Sequence, residues 1–371
     1  MKLLASSTII VLGFIAQLSV ASEPGPYMLP TTTNFAGSSY SSGGRIVGTY
    51  NFATFYDVYT GTHTNGSKDR HTDHPPNLIP APGLPNTRPP ATVVGPPYFS
   101  WRDIGWLKKD ISQMKSAGID FSAFLWGRWL EIDAGKSQAN RNGENTVNNI
   151  NSALMSLESE GQPVPKVACF LGTLEIGIQK INLASVDGKH YLWWAVRDFY
   201  SRLQPRFWMR IDRKVPVVLW VEDGIGTSSP AGGLAQTFEY VKTNFKQRFG
   251  GVELMFIGSK DWRTKYRAPI DLTYGWGAAR HQDGALIGSN DIAEIGPGFD
   301  YLGSPRLYNS RRDGATYRAG WSAAMNSGKR IVMIETWNEF YEATDIAESY
   351  EYGTKYVDIT RQMTGTFHRL R

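Results

Sequence analysis

Four acidic side chains follow an apolar run near the C-terminal end of the chain, and no lysine or arginine lies among them. They are Glu335, Glu339, Glu342 and Asp345, within residues 334–345. Glu339 and Glu342 are three residues apart, so one turn of backbone would place both carboxyls on the same side. Two neighbouring carboxyls, one protonated and one ionised, can break a glycosidic bond, and a short separation suits the retaining form of that chemistry. Two glutamates three residues apart are also common on surface helices. The prediction of an active site therefore depends on whether the predicted strands and helices place both carboxyls in one site.

The rest of the chain alternates β-rich apolar runs with amphipathic stretches, which is typical of repeated βα units on a parallel sheet. Eight strands are predicted, at residues 45–55, 119–126, 165–171, 216–221, 252–258, 270–276, 292–302 and 330–337. Helices are predicted at residues 103–117, 146–159, 191–203, 234–249, 315–326 and 350–363. The helices after the fifth and sixth strands are weak or missing. This order predicts an α/β fold, a single (β/α)8 TIM barrel, with the acidic run at the mouth where the strands end.

Further polar and aromatic side chains follow the ends of the predicted strands and would face the same mouth. The candidates for substrate binding are Trp126, Arg128, Glu222, Trp276, Arg306, Tyr308, Trp337, Asn338 and Tyr341. Glu222 ends the fourth predicted strand and is the alternative to Glu342 as the proton donor. Glu335 lies inside the eighth predicted strand and, if buried, should pair with a cation such as Arg306 or Lys329.

The N-terminal segment, residues 1–21, is nearly free of charge after Lys2 and ends in small residues. This pattern predicts a secretory signal peptide, because polar residues interrupt a stretch barely long enough to span a membrane. We expect a secreted or periplasmic protein with no stable membrane span. Residues 22–44 are predicted to be an N-terminal extension, and residues 45–371 the barrel.

A long loop is predicted at residues 61–97, which contain nine prolines and follow the first strand. Such a loop would wall the mouth of the barrel. His71, Asp73 and His74 in this loop are potential metal ligands, but a loop offers no fixed helical spacing for them. We therefore predict no metal and no cofactor.

Net charge and aromatic content indicate which kind of ligand the protein binds. The net charge is +5 and the basic residues are scattered among acids, so no nucleic-acid partner is indicated. The chain has 12 Trp, 18 Tyr and 17 Phe, and aromatic rings near strand ends could stack on sugar faces.

The single cysteine, Cys169, lies in an apolar run and is predicted to be a buried, inert thiol. We expect a monomer that binds an oligo- or polysaccharide.

The acidic segment resembles a known family. Residues 337–346 read WNEFYEATDI and are similar to the N-E-W-x-E-G-T-x-I-E signature of glycoside hydrolase family 99, the endo-acting α-mannosidases and α-mannanases. Residues 295–300 (IGPGFD) resemble a strand of that family and of the fungal α-1,3-glucanases of family 71. Residues 95–126 resemble their first helix and second strand. A bacterial group of glycosidase-like proteins, domain of unknown function 5010, is similar as well.

The resemblance implies a (β/α)8 barrel and roles for two residues. Glu339 would be the base that deprotonates the 2-hydroxyl of the sugar, and Glu342 would be the acid/base at the leaving oxygen. Phe340, Tyr341 and Ala343 depart from the signature, which bears on the substrate more than on the class of reaction.

We interpret the sequence as a secreted retaining glycoside hydrolase acting on an α-linked glycan such as mannan or glucan. The first alternative is a barrel that binds glycans without cleaving them, against which the presence of both Glu339 and Glu342 argues. The second is a lyase or esterase, against which the sequence lacks G-x-S-x-G and H-E-x-x-H motifs.

Overall fold

The computed structural model describes residues 39–53, 103–130, 138–176, 179–180, 182–220, 233–301, 307–340, 342–349 and 352–370. Only the backbone is described for residues 127–130, 138–145, 173–176 and 179–180. The predicted signal peptide and the proline-rich loop at residues 61–97 lie outside the described residues.

The described residues form twelve strands and seven α-helices. The strands are β1 (Ile46–Asn51), β2 (Phe121–Leu130), β3 (Lys166–Ile176), β4 (Gln179–Lys180), β5 (Val215–Leu219), β6 (Leu254–Gly258), β7 (Leu272–Thr273), β8 (Ala285–Leu286), β9 (Ala293–Ile295), β10 (Phe299–Tyr301), β11 (Leu307–Asn309) and β12 (Ile331–Ile334). The helices are α1 (Ile104–Ser116), α2 (Gln138–Ser159), α3 (Val186–Ser201), α4 (Ala235–Arg248), α5 (Lys260–Thr264), α6 (Ala315–Asn326) and α7 (Lys355–Arg369).

Eight strands form a curled parallel sheet in the order β7-β6-β5-β3-β2-β1-β12-β9. The backbone amides of Asp291 and Ile292, directly before β9, each donate a 3.0 Å hydrogen bond to the carbonyl oxygen of Thr273 in β7. The two ends of the parallel sheet therefore come together at this point. Each of these strands falls within, or overlaps, one of the eight predicted strands, and the predicted barrel fold is confirmed.

The helices follow from local sequence signals. Asp103 caps α1, since its carboxylate accepts a 3.0 Å hydrogen bond from the amide of Trp106, and the helix buries Leu107, Ile111 and Met114 against the sheet. The weak helices predicted after the fifth and sixth strands are confirmed. The five-residue α5 follows β6, and a 3-10 turn, Ala278–Arg280, follows β7.

Several predicted elements differ in extent from the structure. The helices α2 and α3 begin at Gln138 and Val186, ahead of the predicted residues 146 and 191, and two further differences have a local backbone cause. The strand predicted at residues 292–302 is split into β9 and β10, because Pro297 lacks an amide proton and Gly298 adopts a φ of 139°. β10 then pairs with β11 in a separate antiparallel hairpin. The helix predicted at residues 350–363 is α7, which begins later, since Gly353 adopts a φ of 54° and its amide bonds back to Ser349.

The core is one continuous cluster of apolar side chains from the strands and the helices. Cys169 lies fully buried in β3, as predicted, and burial raises the pKa of its thiol, which disfavours the reactive thiolate. None of the helices in the described ranges combines the length and the apolar character that crossing a bilayer requires.

Candidate active site

The loop after β12, residues 335–349, is held by hydrogen bonds at both ends. The amide of Glu335 donates to Ile295 of β9 at 2.8 Å, and the amide of Thr336 donates to Thr344 at 3.0 Å. Within the loop, Glu339 donates its amide to the hydroxyl of Thr336 at 2.9 Å and accepts the amide of Thr344 at 3.2 Å. The segment that carries Glu339 and Glu342 is therefore a closed turn at the C-terminal end of a barrel strand.

The two predicted carboxyls have different surroundings in this turn. Glu339 is buried, with 8% of the residue exposed. The Glu342 side chain is 27% exposed, and its Oε1 lies 3.8 Å from Nη2 of Arg280. Arg280 in turn lies over the ring of Phe299, at 4.7 Å from the ring centroid. Glu342 thus faces solvent at the mouth, while Glu339 lies deeper in the loop.

Glu335 differs from its predicted environment. It is buried as expected, but its carboxylate accepts hydrogen bonds from the backbone amides of Gly277 at 2.7 Å and Ala279 at 2.9 Å, in place of a bond to Lys329. Arg306, the other predicted partner, lies outside the described residues. Burial, with a smaller contribution from the charge of Glu342, raises the pKa of Glu335 to about 7, against the lowering effects of the two amides and of Arg280. Backbone donors after β7 thus satisfy the buried carboxyl of Glu335 without a cation.

A second buried carboxyl, Glu294 of β9, was not among the predicted site residues. It accepts a 2.6 Å hydrogen bond from the hydroxyl of Tyr50, and its other oxygen has no hydrogen-bond partner among the described residues. Burial raises its pKa well above the usual value, and the charge of Glu335 adds to this effect. A glutamate inside an apolar strand is itself a signal that could have identified this residue.

Aromatic rings fill the barrel beneath the mouth. Trp276 stacks on Phe170 with ring centroids 5.6 Å apart, and it contacts Tyr50 edge-on at 5.1 Å and Trp220 at 5.8 Å. Trp276 and Trp220 are both only partly buried. The predicted substrate contact Trp276 therefore belongs to this aromatic cluster and keeps part of its surface exposed.

Three other predicted contacts are buried against neighbouring elements, and two of them, Trp337 and Asn338, lie in the loop itself. The structure buries Trp126, whose indole nitrogen donates to Ala195 of α3 at 2.9 Å, so this ring faces the helix layer and not the substrate. Trp337 is also fully buried, and its indole nitrogen donates to Asp110 of α1 at 2.5 Å. Asn338 is fully buried as well, and its side-chain oxygen accepts the amide of Phe52 at 2.7 Å.

The other predicted substrate contacts are exposed, have only their backbone described, or lie outside the described residues. Tyr308 lies in β11 with 63% of the residue exposed. Arg128 lies in β2, where the structure describes its backbone only. Glu222, Arg306 and Tyr341 lie outside the described residues, as do the histidines of residues 61–97. Across the ranges that the structure does describe, no three His, Cys, Asp or Glu side chains are grouped so that they could hold a metal ion.

A parallel eight-stranded barrel with an acidic loop after its last strand defines the architecture as a (β/α)8 barrel with the candidate site at its C-terminal mouth. The chain belongs to the family described as Domain of unknown function (DUF5010), which matches residues 96–369. No curated protein sequence matches the chain.

Solved structures share this fold at low sequence identity. An endo-α-mannosidase of glycoside hydrolase family 99 from Bacteroides thetaiotaomicron is 17% identical, with a TM-score of 0.56, and the match covers 87% of this chain and 97% of that one. A protein described as glycoside hydrolase-like is 15% identical, with a TM-score of 0.57, and covers 89% and 98%. The predicted resemblance to family 99 is thereby confirmed for the fold. The predicted resemblance to the DUF5010 group is confirmed for the family.

Proposed function

We propose that this protein is a glycoside hydrolase that cleaves an α-linked glycan, such as a mannan or a glucan, with retention at the anomeric carbon. The observation that carries the proposal is the closed turn of residues 335–349, which holds Glu339 and Glu342 at the C-terminal end of β12. The half-buried rings of Trp276 and Trp220 below the mouth suit a sugar face. The shared fold with a family 99 endo-α-mannosidase supports the same class of reaction.

The proposed chemistry follows the family resemblance. On an α-mannoside, whose 2-hydroxyl is trans to the leaving oxygen, Glu339 accepts the proton of that hydroxyl, whose oxygen attacks the anomeric carbon, while Glu342 donates a proton to the leaving glycosidic oxygen. The cis 2-hydroxyl of an α-glucoside cannot attack from the opposite face, so this step favours a mannan as the substrate. The products of this step are a 1,2-anhydro sugar and a free hydroxyl on the leaving glycan. Water then attacks the anomeric carbon and gives its proton to Glu342, while Glu339 returns its proton to the 2-oxygen. The two displacements together retain the configuration, and neither needs a metal or a cofactor.

We propose that the protein is secreted or periplasmic, which the apolar segment at residues 1–21 supports. N-terminal sequencing of the protein recovered from the native host or from a secreting host tests this. A mature chain that begins near residue 22 is expected, and recovery of the intact N-terminus in the cytoplasm would contradict it. Light scattering of the same sample tests the expected monomer.

The function itself is tested by incubating purified protein with α-mannan, α-1,3-glucan and other polysaccharides, followed by product analysis. We expect oligosaccharides from one α-linked substrate, with NMR showing the α-anomer as the first product. A β-anomer would exclude retention. Binding of a glycan without any product would favour the alternative of an inactive glycan-binding barrel.

A further inference from the structure

Arg280 lies beside Glu342 at the mouth of the barrel, on the short turn that follows β7. Its Nη2 is 3.8 Å from Oε1 of Glu342. Arg280 follows β7 and Glu342 follows β12, and both strands belong to the parallel sheet. The C-terminal ends of parallel barrel strands lie at the same end of the barrel. Two distant parts of the sequence therefore bring a cation to the carboxyl that the proposed reaction uses as its acid.

The backbone of this turn is fixed by side chains from two other elements. The carboxylate of Glu335, after β12, accepts hydrogen bonds from the amides of Gly277 at 2.7 Å and Ala279 at 2.9 Å. The side-chain amide of Asn309, in β11, donates to the carbonyl oxygens of Ala279 at 2.8 Å and His281 at 2.6 Å. Hydrogen bonds thus hold the residues on both sides of the arginine.

Packing against neighbouring elements restricts the same turn further. A side chain at Gly296, directly after β9, would place its Cβ 2.6 Å from the Cβ of Ala279, which is too close for carbon atoms that are not bonded. The guanidinium of Arg280 lies over the ring of Phe299 in β10, at 4.7 Å from the centroid. The arginine therefore has a fixed backbone and an aromatic surface that directs its side chain toward Glu342.

The ion pair between Arg280 and Glu342 is not what holds the loop in place. The side chains are 49% and 27% exposed, and pairs that water screens to this extent contribute little to folding stability. The backbones are joined independently of it, since the amide of Asp300 donates to the carbonyl oxygen of Glu342 at 2.9 Å. The consequence of the pair lies in the Glu342 carboxyl itself.

Glu342 adjoins several charged groups of the described chain. The charges of Glu342 and Arg280 act in opposite directions on the pKa of the buried Glu335, so these three side chains influence one another. Arg311 reaches the same loop but is paired with Asp345 at 2.8 Å. The charged groups on the elements around Glu342 are Glu335 and Glu339 of its own loop, Arg280 after β7, Asp300 of β10, and the Arg311–Asp345 pair. Arg280 opposes the negative charges of this group.

We propose that Arg280 is a positioning residue, which directs the Glu342 carboxyl at the mouth of the barrel and stabilises its ionised form. In the proposed reaction Glu342 first gives a proton to the leaving oxygen and then accepts one from water. A cation at 3.8 Å favours the release of the proton, and a fixed carboxyl is aligned for both transfers. The inference rests on the proposed function for these two steps, but not for the contact between the two side chains.

The first test needs no substrate. Carbon-13 NMR of protein labelled at the glutamate carboxyls follows the titration of Glu342, whose signal is identified by its loss in Glu342→Gln. Arg280→Gln removes the charge and Arg280→Lys keeps it. Arg263→Gln, in α5, is the matched control, because it removes an arginine that is 46% exposed and lies 3.6 Å from Asp291.

At low ionic strength we expect the titration midpoint of Glu342 to rise by about 0.5–1 pH unit in Arg280→Gln, because the ionised carboxyl loses its cation. The midpoint should match the parent in Arg280→Lys and in Arg263→Gln. An unchanged midpoint in Arg280→Gln would overturn the inference, whether or not the protein cleaves a glycan.

The second test measures initial rates on the glycan that the parent cleaves. We expect Arg280→Gln to lower kcat by about tenfold with little change in KM, and to move the upper limb of the pH profile of kcat/KM in the same direction as the NMR midpoint. Arg280→Lys should recover most of kcat, and Arg263→Gln should match the parent. A parental kcat and pH profile in Arg280→Gln would overturn the positioning role. A parent that shows the NMR shift but cleaves no glycan would overturn the proposed hydrolase and leave the contact standing.

Discussion

The hydroxyl of Tyr50 in β1 donates a 2.6 Å hydrogen bond to the carboxyl of Glu294 in β9, and both side chains are completely buried inside the barrel. Tyr50→Phe removes the hydrogen bond of a buried carboxyl that has no other partner in the described residues. We expect a loss of about 1–3 kcal/mol in the free energy of unfolding, measured by denaturant titration. Tyr308→Phe is the control, because it removes the hydroxyl of a tyrosine that is 63% exposed. Equal losses in the two variants would contradict this account.

The raised pKa of Glu335 predicts how stability depends on pH. Below pH 4.5, the usual pKa of the group, it is protonated in both the folded and the unfolded chain and has no effect. Between this value and the folded-state pKa of about 7, the unfolded chain ionises while the folded chain keeps its proton. The free energy of unfolding therefore falls with rising pH, by roughly 3 kcal/mol from this group once the pH is above 7.

Glu335→Gln tests this dependence, since glutamine does not titrate. Urea titrations of the parent and the variant at several pH values between pH 4 and 8 should show a smaller loss of stability in the variant. Glu253→Gln changes a surface carboxyl that is 53% exposed and serves as the control. An identical pH dependence in the parent and in Glu335→Gln would contradict the raised pKa, because it would show that Glu335 has the same pKa in the folded and the unfolded chain.

Asp110 links α1 to the loop that carries Glu339 and Glu342. Its carboxyl accepts hydrogen bonds from the indole of Trp337 at 2.5 Å and from the amide of Asn51 at 3.3 Å. We expect Asp110→Ala to leave the buried indole without an acceptor, which costs about 1–3 kcal/mol. It should also lower the rate, because Trp337 precedes Glu339 by two residues. Asp358→Ala, on the exposed surface of α7, should change neither the melting temperature nor the rate. A stable and fully active Asp110→Ala protein would exclude the link.

The fold could be predicted because each parallel strand is a continuous apolar run and each long helix has its own apolar face. The position of the carboxyl pair could be predicted as well, since Glu339 and Glu342 directly follow a buried strand. The contacts that hold the loop at residues 335–349 could not be predicted from the sequence. Asp110 and Trp337 form a hydrogen bond although they are 227 residues apart in the sequence, and Glu335 accepts a hydrogen bond from the backbone amide of Gly277. Backbone donors and distant partners leave no periodic pattern in a sequence.

The separate roles proposed for the two carboxyls predict different responses to an activated substrate. An aryl glycoside with a good leaving group needs no proton at the glycosidic oxygen, so Glu342→Gln should cleave it at a substantial fraction of the parental rate. Glu339→Gln should remain inactive, because the base is still needed. Equal losses for both variants on this substrate would show that Glu342 is not the acid, and Glu222 would be the next residue to replace.

The most direct measurement is the rate of Glu339→Gln and of Glu342→Gln on the natural glycan that the parent cleaves. Each variant should lose at least ~10³-fold in rate while its circular dichroism and unfolding transition match those of the parent, as expected for the loss of a catalytic acid or base. Glu253→Gln should keep the parental rate. Folded Glu339→Gln and Glu342→Gln proteins that both cleave the glycan at near the parental rate would contradict the assignment of this loop as the active site.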